Sequence, residues 1–139
     1  MRIEEMGFAE KSERKAMGEA DVRFLVDQFY AKVREDELVG PIFTDKVEDW
    51  SMHLPTMYAF WGSILFGKKD YSGNPFAKHS PLDLEKAHFD RWLELFLGTV
   101  DELFEGAKAE HAKSAAKSIA HSFQARMGIN PFGPGARFY

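Results

Sequence analysis

The sequence predicts a single all-α domain. Apolar residues recur at intervals of three and four along four long segments, the spacing that places them on one face of a helix. No stretch alternates apolar and polar residues as a half-buried strand would, and pairs such as Gly40-Pro41 and Asn74-Pro75 separate the helical segments. The length of 139 residues is typical of one domain. We therefore expect four principal helices joined by short turns.

Composition excludes several kinds of partner and site. The net charge is −4 and the basic residues are not clustered, so we expect no nucleic-acid partner. The absence of cysteine excludes disulfides, zinc–thiolate sites, iron–sulfur clusters and a thiolate-ligated haem. Without a Cys-x-x-Cys-His segment, any haem would be held non-covalently. Aromatic residues make up 14% of the chain, which suits a large apolar cavity or ligand.

The two ends of the chain differ from its middle. Residues 1–18 are charged and weakly patterned, and we expect them to form a mobile arm or a lid. Residues 129–139 are rich in Gly and Pro and cannot continue a helix, so the predicted domain covers residues 19–128. The N-terminus is too charged for a secretory signal, and no apolar run approaches membrane-spanning length. These features predict a soluble, cytoplasmic protein without a membrane partner.

The first helix is predicted from residue 21 to about residue 36, with Asp21 as its N-cap. Tyr30 lies at the edge of its apolar stripe, and Gly40-Pro41 ends the segment. Residues 41–43 are then predicted to form a short apolar turn that directs Phe43 inward. The inner face of the helix consists of Val22, Leu25, Val26, Phe29 and Val33.

The second helix is predicted to begin between residues 48 and 51 and to end at Gly67. Pro55 lies inside its apolar pattern, so either the regular helix starts near Ser51 or it kinks at Pro55. Both alternatives place His53 near the start of the helix. The predicted inner face consists of Trp50, Leu54, Met57, Phe60 or Trp61, Ile64 and Leu65.

Two further helices follow. Asp83 is predicted to open a long helix that Gly106 ends or bends, and the last helix is predicted over about residues 108–127. The stripe of the long helix consists of Leu84, Phe89, Trp92, Leu93, Phe96, Val100 and Leu103. The inward residues of the last helix are Ala112, Ala116, Ile119, Ala120, Phe123 and Met127.

His79 lies on a short segment between the Gly73-Asn74-Pro75 turn and Pro81. An imidazole held between large apolar surfaces is what a buried metal or a haem iron needs as an axial ligand. On spacing alone, a histidine in a surface loop is the simpler interpretation. Likewise, His53 taken by itself is most simply a partly buried structural histidine. Trp92 is most simply a core residue, and Tyr30 a residue at the edge of the core.

A di-iron site in the helical bundle is excluded by ligand count. Such a site needs a Glu-x-x-His pair on each of two helices, and Glu85 with His88 is the only pair here. His111 and His121 belong to the last helix, where we expect structural or exposed positions.

Taken together, six pieces of the sequence resemble the group III truncated haemoglobins over about residues 22–127, in order, spacing and residue type. The first three are Phe29-Tyr30-Ala31-Lys32-Val33-Arg34, Gly40-Pro41-Ile42-Phe43 and Trp50-Ser51-Met52-His53-Leu54-Pro55-Thr56-Met57. The others are Phe60-Trp61, Tyr71-x-Gly73-Asn74-Pro75 with His79, and His88-Phe89-x-x-Trp92-Leu93-x-Leu95-Phe96. The resemblance implies the truncated globin fold, a two-over-two helical sandwich around one haem. The long N-terminal arm and the Gly/Pro-rich tail depart from the family pattern.

The resemblance also implies roles for residues at matched positions. His79 is similar to the proximal iron ligand of the family, and Tyr30 and Trp92 to its distal hydrogen-bond donors. His53 resembles the distal gate and Phe43 the ring that packs on the haem face. The remaining residues expected to contact the haem are Met57 and Phe89.

The implied cofactor is haem b with a five-coordinate iron, and the implied ligands are O₂, CO, NO or similar small molecules. A Tyr/Trp distal pocket favours slow O₂ release, which suits peroxidase-like turnover or NO detoxification better than transport. A reductase is the redox partner that such chemistry would need. Two alternatives stay open. One is a six-coordinate electron-transfer haem protein with His53 or Met57 as second axial ligand, and the other is a cofactor-free helical interaction module.

Overall fold

The computed structural model describes residues 14–69, 71 and 84–128, and within them it contains five helices and one two-stranded sheet. No helix of these residues is long and apolar enough to cross a membrane. The all-α prediction is confirmed. In chain order the elements are β1 (Lys15–Ala16), α1 (Asp21–Glu35), α2 (Gly40–Lys46), α3 (Trp50–Phe66), α4 (Lys86–Leu103), β2 (Phe104–Glu105) and α5 (Ala107–Arg126).

The four long helices form two pairs that pack on each other. Helix α1 contacts α3 within one pair, and α4 contacts α5 within the other. Across the pairs, α1 packs on α4 and α3 packs on α5. The apolar stripe of each long helix is therefore buried against two other helices. Packing of this kind provides most of the stability of helices of this length.

Helix α1 has the bounds and the inner face that its apolar spacing predicts, but its N-cap is Ala20 and not the predicted Asp21, which is its first residue. All five stripe residues are buried, and Leu25 and Val33 are fully so. Tyr30 is also buried, although the pattern places it only at the stripe's edge. The difference arises because α2 and α3 both pack over this side of α1.

Helix α2 replaces the predicted apolar turn at residues 41–43. Pro41 occupies its first turn, where the missing N–H would have no helical partner. The Asp36 carboxylate accepts hydrogen bonds from the backbone N–H groups of Leu38 and Val39, at 3.0 and 2.9 Å. Gly40 is required because a Cβ at that position would lie 2.9 Å from the Val33 carbonyl oxygen. This close approach fixes α2 against the end of α1.

Helix α3 begins at Trp50, within the predicted range, and contains Pro55 beyond its first turn. Asp49 caps it by accepting hydrogen bonds from the Ser51 N–H at 2.9 Å and the Ser51 hydroxyl at 2.6 Å. Pro55 removes the single hydrogen bond that its N–H would have donated one turn back. The helix ends at Gly67, whose φ of 67° only glycine adopts readily.

Helix α4 begins at Lys86, after the predicted start at Asp83, which lies outside the described residues. Its N-cap is Glu85. The backbone N–H of Glu85 donates to Nδ1 of His88 at 2.9 Å, a reciprocal contact of the capping-box kind. Helix α5 begins and ends within one residue of its predicted bounds, and Gly106 separates it from β2.

The described end of the N-terminal arm, residues 14–17, packs against the domain. Strand β1 pairs in parallel with β2, with Lys15 opposite Phe104. Arg14 donates a hydrogen bond to the Asp101 carbonyl at 2.8 Å, and the side chain of Met17 is buried. Residues 1–13 of the predicted arm and the whole predicted tail lie outside the described residues.

The buried apolar residues form two clusters. The larger contains residues of the four long helices together with Met17, Val39 and Phe104, and the partly buried Phe43 of α2 packs against it. Its centre includes Leu25, Phe29, Trp61 and Phe96. The smaller contains Phe89, Ala120 and Phe123 of α4 and α5, with partly buried residues packed around them. The partly buried ring of Trp92 touches both clusters.

Candidate functional site

An apolar pocket lies where the two clusters meet. Of the fourteen described residues that line it, only four carry a side-chain N–H or O–H group, namely Tyr30, Trp61, His88 and Trp92. None of the fourteen carries a carboxylate, an ammonium or a guanidinium group. The other ten are Val39, Ile42, Phe43, Met57, Phe60, Leu84, Phe89, Ile119, Ala120 and Phe123.

Tyr30 is fixed by rings on several sides. Its ring contacts Phe29 at 4.9 Å, Phe43 at 5.9 Å and His53 at 5.5 Å between centroids, each edge to face. Burial raises the pKa of Tyr30 far above its ordinary value, so the side chain stays a neutral phenol. No described residue forms a hydrogen bond with its hydroxyl. The pocket therefore contains a fixed donor directed by packing alone.

Trp92 belongs to a stack of aromatic rings inside the protein. It lies parallel to Phe96 at 5.9 Å, and Phe96 lies parallel to Trp61 at 4.6 Å. Phe29 meets the Trp92 ring edge to face at 5.7 Å. Because Phe29 contacts both Tyr30 and Trp92, the two polar rings approach the pocket from different helices, α1 and α4.

The polar connections of Asp36 tie the two sides of the pocket together. Arg91 of α4 donates from Nε to the Asp36 carboxylate at 2.6 Å, while the same carboxylate holds the start of α2. Burial alone would raise the pKa of Asp36, but hydrogen bonds from Val39, Arg91 and Leu38 outweigh it and lower the pKa. Asp36 thereby fixes the helix of Phe43 relative to α4.

The other predicted site residues are placed as follows. Phe43, Met57 and Phe89 line the pocket. His53 does not line it, because its ring stands behind Tyr30 and against Trp50, at 5.4 Å from the latter. His79 lies outside the described residues.

The remaining histidines of α4 and α5 are weak candidates for an axial ligand. Nδ1 of His88 already accepts a backbone hydrogen bond, so Nε2 carries the proton in the neutral ring and has no lone pair to give a metal. His111 and His121 are exposed on α5. Within residues 14–69, 71 and 84–128, no cluster of three His, Cys, Asp or Glu side chains could hold a metal ion.

Comparison with known proteins decides the family. The sequence model of the bacterial-like globin family matches residues 15–126, which is most of the chain. The chain belongs to this family. Among curated relatives, this globin is 33% identical to the group 3 truncated hemoglobin ctb of Campylobacter jejuni over 105 residues, 72% of this chain and 83% of that one. It is 31% identical to a group 1 truncated hemoglobin of Tetrahymena pyriformis over 112 residues, 80% and 89% of the two chains.

A solved structure agrees with this assignment. The crystal structure of the group III truncated hemoglobin from Campylobacter jejuni superposes with a TM-score of 0.76 at 29% sequence identity, over 85% of this globin and 95% of that chain. The predicted truncated globin fold and the resemblance to group III are both confirmed. Membership in the globin family implies that the protein binds haem and a small gaseous ligand.

The pocket fits a haem. Haem is a flat apolar macrocycle, and the pocket has apolar walls on both sides, with rings such as Phe43, Phe60 and Phe89 among them. The Tyr30 hydroxyl is a buried donor that no described residue engages, so a polar ligand atom in the pocket would satisfy it. The residues present therefore suit both the macrocycle and a small ligand beside it.

Sequence patterning left several features of the site unassigned. Ile119, Ala120 and Phe123 were predicted to face inward, but as core residues and not as walls of a pocket. Asp36 and Arg91 carry no motif, because their pairing depends on two helices that are distant in sequence. His88 was noted for its Glu85 pair and within the segment that carries the family resemblance, but not as a helix cap, although capping-box spacing was a readable signal for the start of α4.

Proposed function

We propose that this globin binds haem b non-covalently, with His79 as proximal ligand, and holds O₂ or a similar small molecule beside Tyr30 and Trp92. Haem supplies an iron atom whose sixth position is open to a diatomic ligand. The pocket then serves redox chemistry or detoxification, with peroxidase-like turnover or NO removal as the reactions, and an electron donor such as a reductase as partner.

The observation that carries this proposal is the buried Tyr30 hydroxyl in an apolar pocket. O₂ gains partial negative charge on binding and CO gains less, so a fixed donor favours O₂. One such hydrogen bond contributes about 1–2 kcal/mol in an apolar environment. Trp92 offers a second donor from α4. Two donors slow the release of O₂, which supports chemistry on a retained ligand over transport.

The other side chains have supporting roles. Phe43, Met57 and Phe89 contact the macrocycle, and their apolar surfaces exclude water from it. His53 contacts Tyr30 edge to face and is proposed to act on ligand entry through the position of that ring. Because its own ring does not line the pocket, it is poorly placed to be a second axial ligand.

The test of the distal donors is a double-mutant cycle with Tyr30→Phe, Trp92→Phe and both changes together. We expect Tyr30→Phe to raise the O₂ dissociation rate roughly five- to thirty-fold while CO dissociation changes little, which corresponds to about 1–2 kcal/mol. Trp92→Phe also leaves space in the aromatic stack, so its effect mixes packing with hydrogen bonding. If both donors bond the same ligand, the double variant is non-additive.

The matched control is Tyr58→Phe, which removes a tyrosine hydroxyl outside the pocket. The Tyr58 hydroxyl donates a hydrogen bond to Asp27, and neither residue lines the pocket. Removing this hydroxyl should therefore leave the dissociation rates of O₂ and CO unchanged. An unchanged ratio of O₂ to CO dissociation in Tyr30→Phe would refute the distal role of Tyr30.

The proximal assignment is tested by His79→Gly. We expect haem retention to fall sharply and added imidazole to restore a five-coordinate ferrous spectrum. His111→Ala, an exposed histidine change on α5, should keep the spectrum of the unmodified protein. A His79→Gly protein with unaltered spectra would contradict the assignment, and a six-coordinate ligand-free ferrous spectrum of the unmodified protein would favour the electron-transfer alternative with Met57 as ligand.

A further inference from the structure

His88 is one of the four described lining residues with a side-chain N–H or O–H group, and it has no part in the proposed ligand chemistry. It lies in the first turn of α4, where its Nδ1 accepts the Glu85 N–H at 2.9 Å. A neutral imidazole has one acceptor nitrogen and one donor nitrogen, and the backbone has taken the acceptor. The proton is therefore on Nε2. No described residue accepts a hydrogen bond from that nitrogen.

The position of His88 along α4 places this donor toward one end of the pocket. His88 and Trp92 are four residues apart, so they share one face of the helix and lie about 6 Å apart along its axis. Trp92 is held in the stack with Phe96, whereas His88 is beside the exposed N-cap Glu85. The donors therefore run from the aromatic interior to the edge of the pocket at the start of α4.

The chemistry of haem b calls for a donor at such an edge. Its macrocycle is apolar, but it carries two carboxylates that cannot enter the apolar interior without strong hydrogen bonds. Among the described lining residues no lysine or arginine is available to meet them. Because Trp61 and Trp92 both stack on Phe96 in the aromatic interior, the imidazole N–H of His88 is the donor that lies nearest the start of α4.

We propose that the Nε2–H group of His88 donates a hydrogen bond to one carboxylate of the haem and anchors the cofactor at the start of α4. The role rests on the proposed haem-binding function and adds the site that receives a carboxylate. The capping contact has a second consequence. Because Nδ1 of His88 accepts the backbone hydrogen bond, the neutral ring carries its proton on Nε2, which can donate to the haem carboxylate. His88 is then a positioning residue and never a ligand of the iron.

The test separates this role from capping by two replacements. Gln and Glu are both ordinary capping-box residues at this helix position, so His88→Gln and His88→Glu keep the cap. Only Gln keeps a donor for the haem carboxylate, whereas Glu places a negative charge against it. We expect His88→Glu to lose haem to an excess of an apoglobin scavenger at least about tenfold faster than His88→Gln does. His111→Glu, the same charge change on exposed α5, should lose haem at the rate of the unmodified protein.

The carboxylate itself is tested with haem dimethyl ester, in which both carboxylates are neutral. The difference between the Glu and Gln variants should disappear with this cofactor. Equal loss of haem b from both variants would overturn the proposal, and so would a difference that persists with the ester, since it would come from packing or helix stability. An unmodified protein that retains no haem would instead refute the proposed function, with no dissociation rate left to compare.

Discussion

The two clusters that bound the pocket differ in how complete they are. In the larger cluster, Phe29 and Phe96 are at most 1% exposed, contact other rings on several sides and do not line the pocket. In the smaller cluster, Phe89 and Phe123 are 7% and 9% exposed, and both line the pocket. The centre of the larger cluster is therefore packed by the protein's own residues, whereas the rings of the smaller cluster each present a side to the pocket.

This difference indicates what haem does for the fold. Side chains that line an open pocket have no dispersion contacts on that side, so they contribute less to stability than enclosed ones. A ligand that fills the pocket supplies those contacts and stabilises only the folded state. The smaller cluster is expected to depend on the cofactor, and the larger one to be stable without it.

The largest expected effect comes from breaking the complete cluster. Phe96→Ala removes a fully buried ring that stacks on Trp61 at 4.6 Å and does not line the pocket, and it should lower the free energy of unfolding by about 3–5 kcal/mol. Denaturant unfolding with and without haem measures this. We expect a similar loss in both forms, because this ring does not face the pocket. Phe24→Ala, which removes an exposed ring of α1, is the control and should cost little.

A smaller effect on stability is expected from Asp36, which connects the start of α2 to Arg91 of α4. Asp36→Asn should lower the free energy of unfolding by about 1–3 kcal/mol, because a buried carboxylate with charged and backbone donors is lost. Since the folded protein lowers the pKa of Asp36, its carboxylate stabilises the fold above the ordinary pKa and loses this effect as the pH falls through the folded value. Denaturant unfolding at several pH values measures both.

The difference between Asp36→Asn and the unmodified protein should therefore be constant near neutral pH and shrink below about pH 4. Asp45→Asn, an exposed change on α2, is the control. A difference that grew in acid would show that the carboxylate is not stabilised in its charged form.

The smallest expected effect on the haem-free protein comes from the incomplete cluster. Phe89→Ala should lower the free energy of unfolding of the haem-free protein by only about 1–2 kcal/mol, less than a fully enclosed Phe would, because part of this ring faces the pocket. With haem bound the cost should be larger, because the cofactor would then contact the side of the ring that faces the pocket. Equal losses in Phe96→Ala and Phe89→Ala without haem would remove the distinction between the clusters.

Local features that the sequence determines were predicted well, and contacts between distant segments were not. Helix α1 and helix α5 follow from apolar spacing because each buried stripe repeats within its own segment. Helix α2 was missed because it depends on Asp36 and on the close packing at Gly40, which only the folded chain brings together. Strands β1 and β2 are two residues each and have no signal of their own without the partner strand.

The sequence by itself determined the family, the number of long helices and the residues that face inward, because helical periodicity reports which side of a segment is apolar. What lies opposite that side was decided only by tertiary structure. Phe89 and Phe96 belong to one stripe of α4, yet Phe96 is enclosed between Trp61 and Trp92, and Phe89 lines the pocket. The same spacing thus produces a core residue and a site residue, because the packing of the other helices, and not the periodicity of α4, determines where space is left.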